Sequence, residues 1–263
     1  MKSSDYLFSK LTFFFILCLS LVSPGGKAQQ TFCNPINISY RFSLDKPSRR
    51  MAADPVIVLF KNNYYLFATA SSGYWFSEDL LKWKFVTTRD LPFEKDAPAA
   101  AVINGELYYM PLNSNIIYKA TDPITGKWEV FNADFPLSIG DPDLFQDTDG
   151  RVYMYYGCTN NDYLNAVELD PNNKLKPIGK PVQVLKGDPA RRGWERPGDY
   201  NTGTERPWTE GPWMTKHNGK YYYQYSAPGT EFKSYADGYF VSASPLGPFS
   251  YAPSSPFSAK PEG

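Results

Sequence analysis

Apolar and polar residues alternate along this chain in short runs, and the runs recur. One phrase, DPDLFQDTDGRVYMYYG (Asp141 to Gly157), sets the pattern: an acid before proline, an apolar strand, an Asp-Gly turn and an aromatic strand. Asp-Gly between two alternating apolar runs marks a β-hairpin. The phrase returns as ADPVIVLFKNNYYLFAT with its acid at Asp54, as APAAAVINGELYYMP from Ala97, and as EGPWMTKHNGKYYYQYS from Glu210. Each copy leads into two more strand-like segments, such as GYWFS and LKWKFV in the first unit or GYFVSAS and PFSYA in the fourth. A period of about 43 residues with four strands per unit is the signature of a propeller blade. No segment sustains a helical apolar period, so the chain reads as an all-β propeller with about four blades present.

The third interval is lengthened by KGDPARRGWERPGDYNTGTERPWT, Lys186 to Thr209, a Gly-, Pro- and Arg-rich loop. If the strands of each blade run alternately up and down, every unit begins and ends on one face. The heads of the innermost strands then share that face with the insertion and with the turns around Tyr74, Asn113, Asn160 and Glu231. A site belongs on this rim. Asp54-Pro55 and Asp141-Pro142 place acids there, and proline is expected to push the preceding acid into an extended conformation. Glu210-Gly211-Pro212 reads as a third copy in register.

Three acids around one funnel suit glycoside hydrolysis, in which one carboxylate acts as base or nucleophile, another as proton donor, and a third tunes the pair. Glu195, Asp199 and Glu205 lie in the insertion, but beside Arg191, Arg192, Arg196 and Arg206 they read as ion-pair partners. Asp147 reads as a hairpin residue rather than half of a calcium loop. Trp75, Trp194, Trp208 and Trp213 offer faces for sugar stacking, with Trp194 and Trp208 favoured by their loop setting. Tyr74, Trp75, Asn113, Trp194, Trp208 and Glu231 are therefore the candidate substrate-binding residues. The one histidine, His217, sits in a hairpin on the far side from the acids, which leaves no material for a Ser-His-Asp triad or a histidine zinc site.

Composition narrows this further. Tyr 20, Phe 18, Trp 6, Pro 23 and Gly 19 suit short strands and many turns. Lys2 and Lys10 flank the apolar run Leu11 to Val22, and Gly26 and Ala28 fit a signal peptidase site. Residues 1–28 are thus expected to be a cleaved export signal, the mature chain to start at Gln29, and the protein to be secreted or periplasmic. The run is too short to span a membrane. Loss of Lys2, Lys10, Lys27 and Asp5 leaves a slightly acidic chain with no basic stripe, which argues against nucleic acid as a partner. Export permits a Cys33–Cys158 disulfide, although two distant cysteines do not establish one. INISYRFS, within 34–50, reads as an N-terminal strand, and Asn37-Ile38-Ser39 is a glycosylation acceptor by pattern only.

The order AADP, DPDLFQDTDGR, YMYYG, TEGPWM, KHNGKYYYQYS resembles glycoside hydrolase family 43, the five-bladed arabinofuranosidases and xylosidases, from about Asn34 to the end. The resemblance implies an exo-acting, inverting hydrolase releasing α-L-arabinofuranosyl or β-D-xylosyl residues. It implies Asp54 as base, Asp141 as pKa modulator and orienting residue, and Glu210 as general acid. No cofactor is required, though the family also implies a calcium ion or water on the central axis beside a fifth-blade histidine. Two departures stand out. Asp96-Ala97-Pro98-Ala99 replaces the second-blade phrase Trp-Ala-Pro-Asp, and the fifth blade with its histidine is expected to be missing. Blades one and four would then show apolar walls from YYLFA and YYYQYS. A catalytically silent or truncated glycan-binding propeller is the alternative.

Overall fold

The computed structural model describes residue 38 and residues 52–92 and 96–259. All belong to one of two compact units, 38–263. The expected export signal, Cys33, the expected strand within 34–50 and Asn37 lie outside the described residues.

Four antiparallel meanders make the fold. Blade one is β1 (Val56–Phe60), β2 (Asn63–Phe67), β3 (Tyr74–Ser77) and β4 (Lys84–Val86). Blade two is β5 (Ala99–Ile103), β6 (Glu106–Met110), β7 (Ile117–Asp122) and β8 (Lys127–Asn132). Blade three is β9 (Asp143–Gln146), β10 (Val152–Tyr156), β11 (Leu164–Asp170) and β12 (Lys176–Leu185). Blade four is β13 (Glu210–His217), β14 (Lys220–Ala227), β15 (Ala236–Ser242) and β16 (Ser250–Tyr251). A short β17 (Ser258–Ala259), which the repeat did not foretell, adds to β15. The four-strand units read from the sequence are these blades. Helix is confined, among the described residues, to one 3-10 turn at Gly193–Glu195 in the insertion. None of those residues forms a helix long and apolar enough to cross a membrane.

Each space between blades holds its own core, and strand alternation decides which side chain serves which core. Tyr65, Phe67 and Tyr74 of blade one meet Ala100, Leu107, Tyr109 and Trp128 of blade two. Ala99, Ala101, Ile103 and Met110 turn the other way, onto Leu144, Val152 and Met154 of blade three. Tyr153 and Tyr155 then face Met214, Tyr221, Tyr223 and Tyr225 of blade four. Inner blades are buried on both faces, so AAAVI and VYMYY read as unbroken apolar runs rather than alternating ones.

The outer faces of the first and last blades are apolar. On blade four Thr215, Tyr222, Gln224, Tyr239 and Phe257 line a groove of about 390 Å³, as YYYQYS implied. On blade one Ile57 (51 %) and Leu59 (56 %) of VIVLF are exposed, and their cross-strand partners Leu66 and Tyr64 of YYLFA lie half-buried on the same face. Tyr65 and Phe67 are spoken for by blade two.

Tyr155 and Tyr223 are both fully buried, but only the Tyr155 hydroxyl has a partner, donating to the Pro245 carbonyl at 2.9 Å. The Tyr223 hydroxyl has none among the described residues. Removing an unpaired buried hydroxyl relieves its desolvation cost, whereas removing a paired one strands a carbonyl. Tyr223→Phe should therefore raise unfolding free energy by about 1 kcal/mol and Tyr155→Phe lower it by about as much. Urea denaturation of the two variants checks the opposite signs.

Candidate active site

At the head of each innermost strand stands a residue followed by proline: Asp54, Ala97, Asp141 and Gly211. All four have positive φ, at 50°, 38°, 41° and 61°. The extended conformation expected before proline is therefore corrected. Each chain enters its blade through a left-handed residue, which short aspartate side chains and glycine tolerate best. The four residues and their prolines surround one central depression of about 140 Å³.

The register of the third acid is also corrected. In blade four it is Gly211, not Glu210, that matches Asp54 and Asp141. A bulge inserts one residue into β13 between Glu210, paired with Ser226, and Trp213, paired with Gln224. Bulges re-aim side chains. This one sets Glu210 a residue upstream, at the mouth of a neighbouring cleft of about 460 Å³. Asn160, Glu205, Arg206, Trp208, Glu231 and Phe232 form much of its wall.

The three acids still share one electrostatic neighbourhood. Asp141 is pushed up to about 6, first by burial, then by the charge of Glu210 and more weakly by that of Asp54. The Gly211 N–H, donating to its Oδ2 at 3.1 Å, works the other way. Asp54 Oδ2 accepts from Thr69 Oγ1 at 2.6 Å, and the same hydroxyl oxygen accepts the Ala97 N–H at 2.9 Å, tying the first acid to the second blade. Three donors hold Glu210. Trp208 Nε1 reaches Oε2 at 2.8 Å, Tyr235 Oη reaches Oε1 at 2.8 Å, and the free Cys158 thiol approaches Oε2 at 3.6 Å. Burial, with Asp141 and Glu210 nearby, pushes the Cys158 thiol well up, so it stays protonated and donates. Burial and Glu210 do the same for the Tyr235 phenol. Gly140 lets Cys158 in, because a Cβ there would stand 2.8 Å from the Cys158 Cβ.

Other candidates scatter. Trp208 (37 % exposed) and Glu231 line the cleft. Asn113 is exposed in the β6–β7 loop, its N–H on the Ile139 carbonyl, and lines neither hollow. Tyr74 is enclosed between blades, donating to the Pro123 carbonyl at 2.5 Å and accepting from Trp128 Nε1 at 3.1 Å. Trp75 (1 % exposed) lies edge-on to Phe85. Every residue of β3 is buried, so its aromatics serve packing and not a sugar face. Trp194 packs on Tyr225 and donates to Tyr251 Oη at 3.1 Å, pinning the insertion to blade four. Glu195 is completely buried, paired with Arg192 and bonded by Tyr225. As expected, Asp147 belongs to a hairpin; it also pairs with Lys216 of blade four.

Thr69, Cys158 and Tyr235 were not singled out from the sequence. Thr69 ends the first copy of the repeat, where a hydroxyl signals little. Cys158 and Tyr235 reach Glu210 only through the fold.

A calcium ion takes about six to eight oxygen ligands. Among the described residues the one cluster of candidate ligands is Asp141, Cys158 and Glu210, whose thiol does not suit calcium. His217 lines the outer groove of blade four. The donor set does not fit this ion.

A four-bladed all-β propeller with a carboxylate trio at the head of its blades defines the class. The sequence profile of glycosyl hydrolases family 43 matches residues 47–262, and the chain belongs to that family. It is 29 % identical over 238 residues to a β-D-galactofuranosidase of Aspergillus niger, covering 76 % of this chain and 64 % of that protein. A β-xylosidase of Xylanibacter ruminicola is 32 % identical over 149 residues, 49 % of this chain and 42 % of the relative. The crystal structure of a thermostable family-43 glycoside hydrolase superposes with a TM-score of 0.67 at 25 % identity, over 88 % of this chain and 78 % of that one. This chain spans between 38 % and 64 % of the length of the curated relatives it matches.

Asp141 gives a direct handle on the site. Its folded pKa lies above the model-peptide value of 3.8, so its contribution to stability is complete below about pH 4 and is lost as pH rises through about 6. Asp141→Asn should match the parent's melting temperature at pH 4 and exceed it at pH 7.5. Calorimetric melts across that range check the sign.

Proposed function

We propose that this protein is an exo-acting, inverting glycoside hydrolase. It releases α-L-arabinofuranosyl or β-D-xylosyl residues from plant polysaccharides or oligosaccharides outside the cytoplasm, with residues 1–28 as its export signal. The observation that carries the reading is the placement of the trio: Asp54 and Asp141 line one central depression with Gly211, and Gly211, the residue after Glu210, donates to Asp141 at 3.1 Å. That arrangement supplies a base and a tuning charge at the central depression and a donor at the cleft beside it. The names of the relatives, a galactofuranosidase and a xylosidase, agree with cleavage of a terminal pentose or furanose unit.

In this reading Asp54, fixed by Thr69, takes a proton from a water molecule that attacks the anomeric carbon. Glu210 gives its proton to the glycosidic oxygen as that bond breaks on the opposite face. The sugar leaves with inverted configuration and the aglycone leaves as the alcohol. Trp208 and Tyr235 hold the donor's two oxygens in place, and Asp141 accepts the N–H of Gly211, the residue after the donor. The cleft beyond Glu210, walled by the insertion, takes the aglycone.

Two variants test the roles. Glu210→Gln should slow alkyl or oligosaccharide substrates about 100-fold or more while largely sparing activated aryl glycosides, which need no protonation. Asp54→Asn should abolish turnover of both. NMR of the first product should show the inverted anomer. A retained anomer, or equal losses on both substrate types in Glu210→Gln, would remove these assignments. Glycan binding by the parent with no turnover would favour a silent binding module.

A further inference from the structure

Asp141 and Asp143 treat the neighbouring blade alike. Asp141 accepts the Gly211 N–H at 3.1 Å, and Asp143 accepts the Met214 N–H at 2.8 Å. Between those two amides lies the bulge that sets the position of Glu210. A bulge interrupts ladder pairing and leaves the strand locally free to shift. β13 is the innermost strand of its sheet, paired only with β14, so no further strand restrains it on the axial side.

Asp143 is an unusual residue to keep there. Its side chain is buried among Tyr155, Tyr223 and the blade three–blade four core, and no ion pair involves it among the described residues. Burial pushes it up to about 7, against the pull of the Met214 and Leu144 amides. A carboxyl group buried without a counter-charge costs stability, and an apolar side chain of similar size would pack there at less cost. What an apolar side chain lacks is an acceptor for Met214.

We infer that Asp143 is a positioning residue for the proton donor: by holding the Met214 N–H it pins the far side of the β13 bulge, as Asp141 pins the near side, and so fixes where Glu210 stands. The inference rests on reading Glu210 as the donor. Inner strands of adjacent blades share no ladder; a backbone bridge to Thr159 holds Thr209 just before Glu210, and the two side-chain bonds hold the bulge that follows it. A displacement of about 1 Å at a reacting group costs about 100-fold in rate, enough to explain retention of a costly buried acid.

The test compares Asp143→Asn, which keeps an acceptor, with Asp143→Leu and Asp143→Ala, which do not, in the full chain. Trp208 Nε1 bonds Glu210, so its indole N–H resonance reports the donor's position without any substrate. In Asp143→Leu or Asp143→Ala that resonance should move, kcat should fall about 100-fold, and KM should hold within about threefold. Asp143→Asn should restore the resonance and most of kcat. An unmoved Trp208 resonance in a folded Leu or Ala variant, or an Asn variant no better than these, overturns the inference. If neither apolar variant folds, amide exchange in Asp143→Asn decides. A Met214 amide that exchanges freely beside an unmoved Trp208 resonance overturns the clamp, and the two held or moved together sustain it. A parent inactive on every glycoside would remove the hydrolase reading, while the Trp208 resonance still decides the clamp.

Discussion

Radially arranged sheets share no backbone ladder, and everything else in this structure answers to that constraint. Within a blade, register comes from strand pairing. Between blades it comes mostly from side chains, helped by one backbone bridge between Thr159 and Thr209 at the entry to blade four. Apolar contact supplies most of the energy, through three separate inter-blade cores, but apolar contact is non-directional. Direction comes from polar side chains that cross the gap to a backbone group: Thr69 to Ala97, Gln146 to Asn104, Asp141 to Gly211, Asp143 to Met214. Two of these crossings come from residues flanking Pro142, and one of the two, Asp141, belongs to the acid trio itself. Holding the ring together and holding the chemistry in place are therefore partly the same set of bonds.

Much of the fold was legible because a repeat says the same thing four times. Strand positions, hairpin turns and the long insertion all follow from apolar patterning and from Asn-Gly or Asp-Gly pairs, which are local signals. The acids Asp54 and Asp141 were legible for the same reason, each being fixed by its own proline. Glu210 was found but misregistered. Its Glu-Gly-Pro looks like a variant of Asp-Pro, and only pairing with Ser226 reveals the extra residue. The backbone at these heads was misjudged too, because the preference before proline is a local rule and the tight entry into the blade overrides it.

Aromatic residues were the hardest to sort. Trp194 and Trp208 share a loop setting, yet one pins the insertion and the other touches Glu210, while Trp75 of β3 is interior. A tryptophan is large enough to serve either as filler or as a platform, and the choice depends on which strand pairs beside it. Cys158 and Tyr235 show the complementary difficulty. Neither carries a local signature, and each gains its place from a contact across at least 25 residues of chain.

The insertion has a double attachment. Its middle is anchored by Trp194 and by the buried Glu195–Arg192 pair, while its end delivers Trp208 to Glu210. The same loop that walls the cleft beside Glu210 also supplies a hydrogen bond to that carboxyl group. The shape of the cleft and the placement of Glu210 are thereby linked traits. In a scaffold built this way, remodelling the loop to reshape the cleft also moves a bond that holds Glu210.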